Sequence, residues 1–347
     1  MSIAGHSSNA ILSKAHAMYG QRLTKSDFNS MLECEAVSDV MVYLKTHTRY
    51  ADILATYNES AMHREQLEPL LKQHLFYDFA SLCRYEISVG EKFARYLIEQ
   101  IEIEQIIMFL TLLNSGRSEE YTYSLPQFFD KKTEIDLHRF PKVRTYTDFL
   151  ELLGKSRYFD ILKPFEVVEG ERLDIAGIEH ALYTDMYASV IDIIKNHTSG
   201  SSQKELYKLF LTHIDMLNFL YIHRLKKFYR LSSEEIKKYL FPFGKFTDKQ
   251  LNALCNASGT DEIFKIMLKT ESGHIIPKIK YNYAYEILQR SDYKLAKHYM
   301  TFSINPIVVM MSYIILMKIE ISNIVNIIEG IRYKAPVDQI RQILYIN

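Results

Sequence analysis

One pattern occurs three times along the chain, and it constrains the fold more than any other feature. It reads apolar, acid, apolar, any, amide, apolar, apolar. The copies are Ile101-Glu102-Ile103-Glu104-Gln105-Ile106-Ile107, Ile214-Asp215-Met216-Leu217-Asn218-Phe219-Leu220 and Ile319-Glu320-Ile321-Ser322-Asn323-Ile324-Val325. The acids stand 113 and then 105 residues apart, and flanking columns agree: Leu97 with Phe210 and Ile315, Phe109 with Ile222 and Ile327. Around the second copy, Leu206, Leu209, Phe210, Ile214, Leu217 and Leu220 recur at the three-and-four spacing of one buried helical face. Ile314 to Ile331 is apolar nearly all round, which predicts a central, enclosed helix.

A second motif precedes each of these helices. It runs from Leu23-Thr24-Lys25-Ser26-Asp27-Phe28 to Asp39-Val40, from Thr145-Tyr146-Thr147-Asp148-Phe149 to Ile161-Leu162, and from Phe246-Thr247 to Ile263-Phe264. Each copy reads as two short helices with apolar inner faces. Thr24, Thr147, Ser232 and Thr247 are the expected N-caps, because a side-chain oxygen there satisfies an orphan amide of the first turn. With 12 Gly and 8 Pro in 347 residues, there is little material for tight turns, and no convincing strand is found. Ser115–Thr122, Asp130–Pro141, Thr198–Ser202 and Gly273–Lys280 read as loops. The expectation is an all-α protein of three related units, 1–123, 124–240 and 241–347. That period exceeds the ~33–47 residues of helical solenoids. The units are therefore expected to pack around a pseudo-threefold axis.

Charge excludes several functions. The chain has 42 basic and 42 acidic residues, a net charge of zero, which argues against a protein that grips nucleic acid by its phosphates. From Lys278 onward there are nine basic and five acidic residues, so this part is +4 and the rest −4. The longest apolar run, Ile307 to Met317, is shorter than the ~20 residues a membrane span needs, and no secretory signal is recognisable. The reading is therefore a chain that does not cross a membrane but can lie on one. Cys34, Cys83 and Cys255 are far apart and odd in number, neither a disulfide framework nor a zinc set, and read as small buried hydrophobes.

Catalytic and metal chemistry finds little support. Gly154-Lys155-Ser156 resembles the end of a phosphate loop, but Phe149 stands where that loop needs a glycine, so it reads as a turn between two short helices. His213 and Asp215 point about 200° apart on a helix and cannot share a metal. No nucleophile elbow occurs. No catalytic residue, metal ligand or cofactor is expected. The notable charges are Glu102, Asp215 and Glu320. Either a neighbouring element holds each in the core, since a buried lone charge is costly, or they form an acidic ring that meets a basic partner. Arg224-Leu225-Lys226-Lys227-Phe228-Tyr229-Arg230 is the densest basic run. It reads as a solvated helix end helped by the helix dipole, or as a contact for an acidic partner or anionic headgroups.

Taken together these residues resemble the C subunit of the prokaryotic V/A-type rotary ATPases, the counterpart of the eukaryotic V-ATPase d subunit. The likeness runs from Arg22-Leu23-Thr24, Asp27-Phe28, Met31-Leu32 and Asp39-Val40 through Asp215-Met216-Leu217-Asn218-Phe219 with Arg224 and Lys226. It ends at Glu320-Ile321-Ser322-Asn323-Ile324 and Gly330-Ile331-Arg332-Tyr333-Lys334, and so covers essentially the whole chain. Unit one departs from it, with Thr111-Leu112-Leu113-Asn114 where an arginine and a lysine are expected.

The resemblance implies a funnel-shaped, noncatalytic adaptor of the central rotor. Its base would rest on the membrane proteolipid ring and its mouth would receive the central stalk. It would pass torque for proton or sodium transport, peripherally at the cytoplasmic face. Glu102, Asp215, Glu320, Arg224, Lys226, Lys227 and Arg332 are the candidate partner-interface residues. The alternatives are a helical interaction scaffold unrelated to the ATPase, and an all-α enzyme with a site at the unit junctions.

Overall fold

The computed structural model describes residues 3–57, 64–84, 90–124, 133–167, 171–277 and 284–346. No strand occurs among the described residues, so the chain is all-α as expected. Sixteen α-helices follow in order among them. The first six are α1 Ile3–Gly20, α2 Lys25–Leu32, α3 Val37–His47, α4 Ala51–Leu54, α5 Arg64–Cys83 and α6 Gly90–Asn114. Next come α7 Tyr146–Leu153, α8 Arg157–Leu162, α9 Ile175–His197, α10 Gly200–Arg224 and α11 Ser233–Lys237. The last are α12 Asp248–Asn256, α13 Thr260–Met267, α14 Ala284–Phe302, α15 Pro306–Arg332 and α16 Val337–Ile343. They fall into two compact units. One joins residues 1–91 to 197–347, and the other is the continuous stretch 92–196.

In the first unit α15 is the central element. It packs on α14, α5 and α1, and α10 packs along α14. The direction of each helix follows from its contacts. Glu205 near the start of α10 accepts from Ser303 Oγ at 2.6 Å and Asn305 Nδ2 at 2.8 Å. Further along, His213 meets Asp292. Thus α14 runs antiparallel to α10, and α10 and α15 begin at the same end. By length and composition α15 could cross a membrane, which the uninterrupted apolar run alone did not indicate; 83% of its most apolar window is buried inside the unit. The second unit contains an aromatic cluster of Phe109 on α6 with Tyr121, Phe140 and Phe149. Phe109 and Phe140 have ring centroids 4.6 Å apart.

The short-helix pairs begin with capping boxes. Thr24 accepts from the Asp27 amide, and Asp27 accepts from the Thr24 amide at 2.6 Å. Ser232 with Glu235 and Thr247 with Gln250 repeat this. In the second unit the cap is Thr145 and not Thr147. The capping box needs its acid three residues after the cap, and Asp148 stands three after Thr145. Gly154 ends α7 with φ +54°, so Gly154-Lys155-Ser156 is the turn between two short helices.

Other expectations need correction. Ser118–Ser124 and Leu137–Lys142 are 3-10 turns, not loops, and α10 starts inside Thr198–Ser202. Residues 130–132 and 278–280 of the remaining expected loops lie outside the described residues. Cys255 is buried, but Cys34 and Cys83 are only half-buried.

Candidate functional site

The three repeated acids sit midway along α6, α10 and α15, and each accepts from both backbone and hydroxyl donors within its own unit. Glu102 takes the Glu134 amide at 2.7 Å and the Tyr158 hydroxyl at 2.6 Å. Asp215 takes the Lys245 and Phe246 amides at 2.9 and 3.2 Å and the Ser272 hydroxyl at 2.5 Å. Glu320 takes the Leu23 amide and the Tyr50 hydroxyl, both at 2.8 Å. Asp215 and Glu320 thus receive the backbone leading into a capped helix pair and a hydroxyl that follows the pair. The carboxylates are buried, with exposures of 1%, 0% and 6%. Burial raises the pKa of all three, against the lowering effect of the donated hydrogen bonds, and pushes Asp215 up to about 6. Gly244 shows how tightly the Asp215 loop closes. Its φ is +120°, and a Cβ there would lie 2.3 Å from the carboxylate oxygen.

The amides of the motif have the same kind of role. Asn323 exchanges two hydrogen bonds with the backbone of Tyr345, at 2.9 and 3.0 Å. Asn218 does so with Phe241, at 2.8 and 3.1 Å. Gln105 instead accepts from Tyr121 at 2.7 Å. These six polar side chains each pin a loop or short helix to a long helix.

A further column of acids repeats with the units. Asp78 on α5, Asp185 on α9 and Asp292 on α14 are spaced 107 residues apart in both steps. Asp78 pairs with Arg49 and accepts from Tyr313 at 2.5 Å. Asp185 pairs with Arg157, which also pairs with Glu99. Asp292 meets His213 Nδ1 at 2.8 Å. Both arginines directly precede the tyrosine that donates to an acid, Arg49 before Tyr50 and Arg157 before Tyr158. The equal 107-residue spacing was a usable sequence signal. Partners of differing type concealed it.

The basic candidates lie elsewhere, at the C-terminal ends of the long helices. Asp215 and Arg224 are nine residues apart, ~13 Å along the axis, so the acids and the basic residues do not form one cluster. Arg224 and Lys227 are exposed, whereas Lys226 donates to the Ala257 carbonyl at 2.7 Å. Phe228 and Tyr229 beside them are 67% and 65% exposed. At the end of α15, Arg332 lies 3.6 Å from Glu329 and 5.4 Å from the Tyr333 ring centroid, with Tyr333 71% exposed.

The three helix ends share one geometry. Gly116, Arg230 and Lys334 take φ values of +70°, +53° and +52°. After α6, the Arg117 amide returns to the Leu112 carbonyl at 2.9 Å; after α15, the Ala335 amide returns to Gly330 at 2.8 Å. Both close a Schellman turn. After α10 the Leu231 amide returns to Leu225 at 3.4 Å, one residue further back, because Leu225–Tyr229 forms a π-helical turn. The extra residue persists downstream: Phe241 is 23 residues from Asn218, but Tyr345 is 22 from Asn323.

Among the described residues no group of three or more His, Cys, Asp or Glu is arranged to hold a metal ion. Residues 11–343 match the family model described as the ATP synthase (C/AC39) subunit. No curated protein matches the chain.

Proposed function

The chain belongs to the ATP synthase (C/AC39) subunit family, that of the C and d subunits of the V/A-type ATPases, and from this we propose that it is a noncatalytic adaptor of the central rotor. In this reading it links the central stalk to the membrane proteolipid ring. It transmits the torque that couples ATP chemistry to proton or sodium movement, and it sits peripherally at the cytoplasmic face. The match over 11–343 carries the proposal, because it spans almost the entire chain. A socket for the stalk between three units is the part motivated by the repeats.

Two physical features support it. A torque-bearing part must resist deformation, and close-packed interiors do so. Here the long helices are pinned to their surroundings by buried, hydrogen-bonded acids and amides. A docking part must also present side chains outward. Arg230 and Lys334 hold left-handed backbone, which costs a non-glycine residue about 1–2 kcal/mol, where the equivalent turn after α6 uses Gly116. Basic side chains are kept there despite that cost, next to exposed Tyr229 and Tyr333. This favours a contact role for the ends of α10 and α15.

The test is recovery of the complex from native membranes. Mild, low-salt solubilisation is expected to bring stalk and proteolipid subunits down with the tagged chain. Charge reversal at Arg224, Lys227 and Arg332 together is expected to lower that recovery at least fivefold while the thermal melt of the isolated chain stays unchanged. Recovery of the chain without ATPase subunits would support the interaction-scaffold reading instead.

A further inference from the structure

Helix α14 bears a charged face that the buried repeats do not use. Arg290, Lys294, Lys297 and His298 follow at four, three and one residues, so they share one side of the helix. They line an open groove of about 570 Å³, flanked by Pro277 and by Tyr345 of the C-terminal segment. No carboxylate lines this groove among the described residues. The one acid on this part of α14, Asp292, is paired to His213.

Each cation has a separate partner. The Arg290 guanidinium lies 4.9 Å from the Tyr345 ring centroid and donates to the Gln342 carbonyl at 3.2 Å. Lys294 Nζ donates to the Ile275 carbonyl at 3.0 Å, and Lys297 Nζ lies 5.9 Å from the Tyr293 ring centroid. A guanidinium has five N–H donors and an ammonium three, so these contacts leave donors for a ligand. The arrangement is a row and not a cradle. From Arg290 to Lys297 the helix rises ~10.5 Å, and three alternate side chains of an extended chain span ~13.6 Å. The difference of ~3 Å is within the reach of long, flexible arginine and lysine side chains. A compact phosphate would need the cations to converge on one point, and they are strung over ~10 Å.

We propose that this groove binds an extended acidic segment of a partner protein, with carboxylates at alternate positions facing Arg290, Lys294 and Lys297 and the intervening side chains turned away from the groove. The inference concerns a surface distinct from the helix ends, and it stands or falls separately from the adaptor reading.

The experiment uses the purified full-length chain and a fluorescein-labelled peptide of alternating glutamate and tyrosine, five residues long, read by fluorescence anisotropy. The expected result is saturable binding that weakens at least tenfold in the Lys294→Glu/Lys297→Glu variant. The same weakening is expected when the peptide glutamates are replaced by glutamine, and when salt is raised from about 50 to about 200 mM. Lys294→Gln/Lys297→Gln, at exposed and half-exposed positions, gives the same direction without introducing repulsion, and a thermal melt verifies that either variant is folded. Undiminished binding in the folded variants overturns the proposal. So does inositol hexakisphosphate or an anionic phosphatidylserine vesicle binding more tightly than the peptide with the same dependence on Lys294 and Lys297.

Discussion

Asp215 illustrates how a single residue ties pH to stability. Its carboxyl titrates at about 6 in the fold against an ordinary value of 3.8, chiefly through burial. Between those values the folded chain keeps a proton that the unfolded chain has released. Its contribution is therefore fully present below pH ~4, declines as pH rises to ~6, and stays flat above, a loss of about 3 kcal/mol from this group. Asp215→Asn retains an oxygen for the Lys245 and Phe246 amides and offers an amide to Ser272. Urea unfolding at pH ~4 and ~7 is expected to show the variant gaining about 2 kcal/mol on the parent between the two conditions; an unchanged difference between variant and parent at the two pH values would refute the assignment. At this scale much was legible in the sequence. The acids, the amides and three of the four caps lay in visible columns, and their burial followed from apolar flanks. The partners did not, because Leu23 and Tyr50 reach Glu320 across 297 and 270 residues. Hydrogen-bond donors of this kind, a backbone amide and a tyrosine hydroxyl, leave no charge pattern to read.

The elements were legible where the helical period is long and strong. The enclosed helix expected over 314–331 is α15, and the buried face from Leu206 is α10. What escaped was the π-helical turn at Leu225–Tyr229. A one-residue insertion changes no hydrophobic period enough to be noticed, yet it shifts every later position of that repeat. The left-handed positions at the helix ends also escaped, since only Gly116 announces itself by residue type. The shared geometry makes a prediction about these ends. Arg230→Gly and Lys334→Gly are each expected to stabilise the chain by about 1 kcal/mol, the relief of left-handed strain outweighing the extra freedom of glycine when unfolded. Denaturant midpoints check this. If the side chains serve a partner, the same substitutions weaken co-purification with the ATPase even as they raise the midpoint, the expected trade between stability and function.

For the whole molecule, the all-α class was legible from scarce glycine and proline and from the repeats. The division into residues 1–91 with 197–347, and 92–196, was not. It depends on α15 packing against α1 and α5, a contact between the two ends of the chain. That contact governs the order in which a growing chain can finish folding. Residues 92–196 are continuous and can close their core soon after leaving the ribosome. The first helices cannot: Leu23 must wait for Glu320, 297 residues later, or ~15–60 s at ~5–20 residues per second. Throughout that interval the apolar faces of α1 and α5 have no α15 to cover them. A nascent chain stalled before α15 is therefore expected to resist limited proteolysis only between 92 and 196. The early helices cannot complete their core until α15, the second helix from the end, has been made.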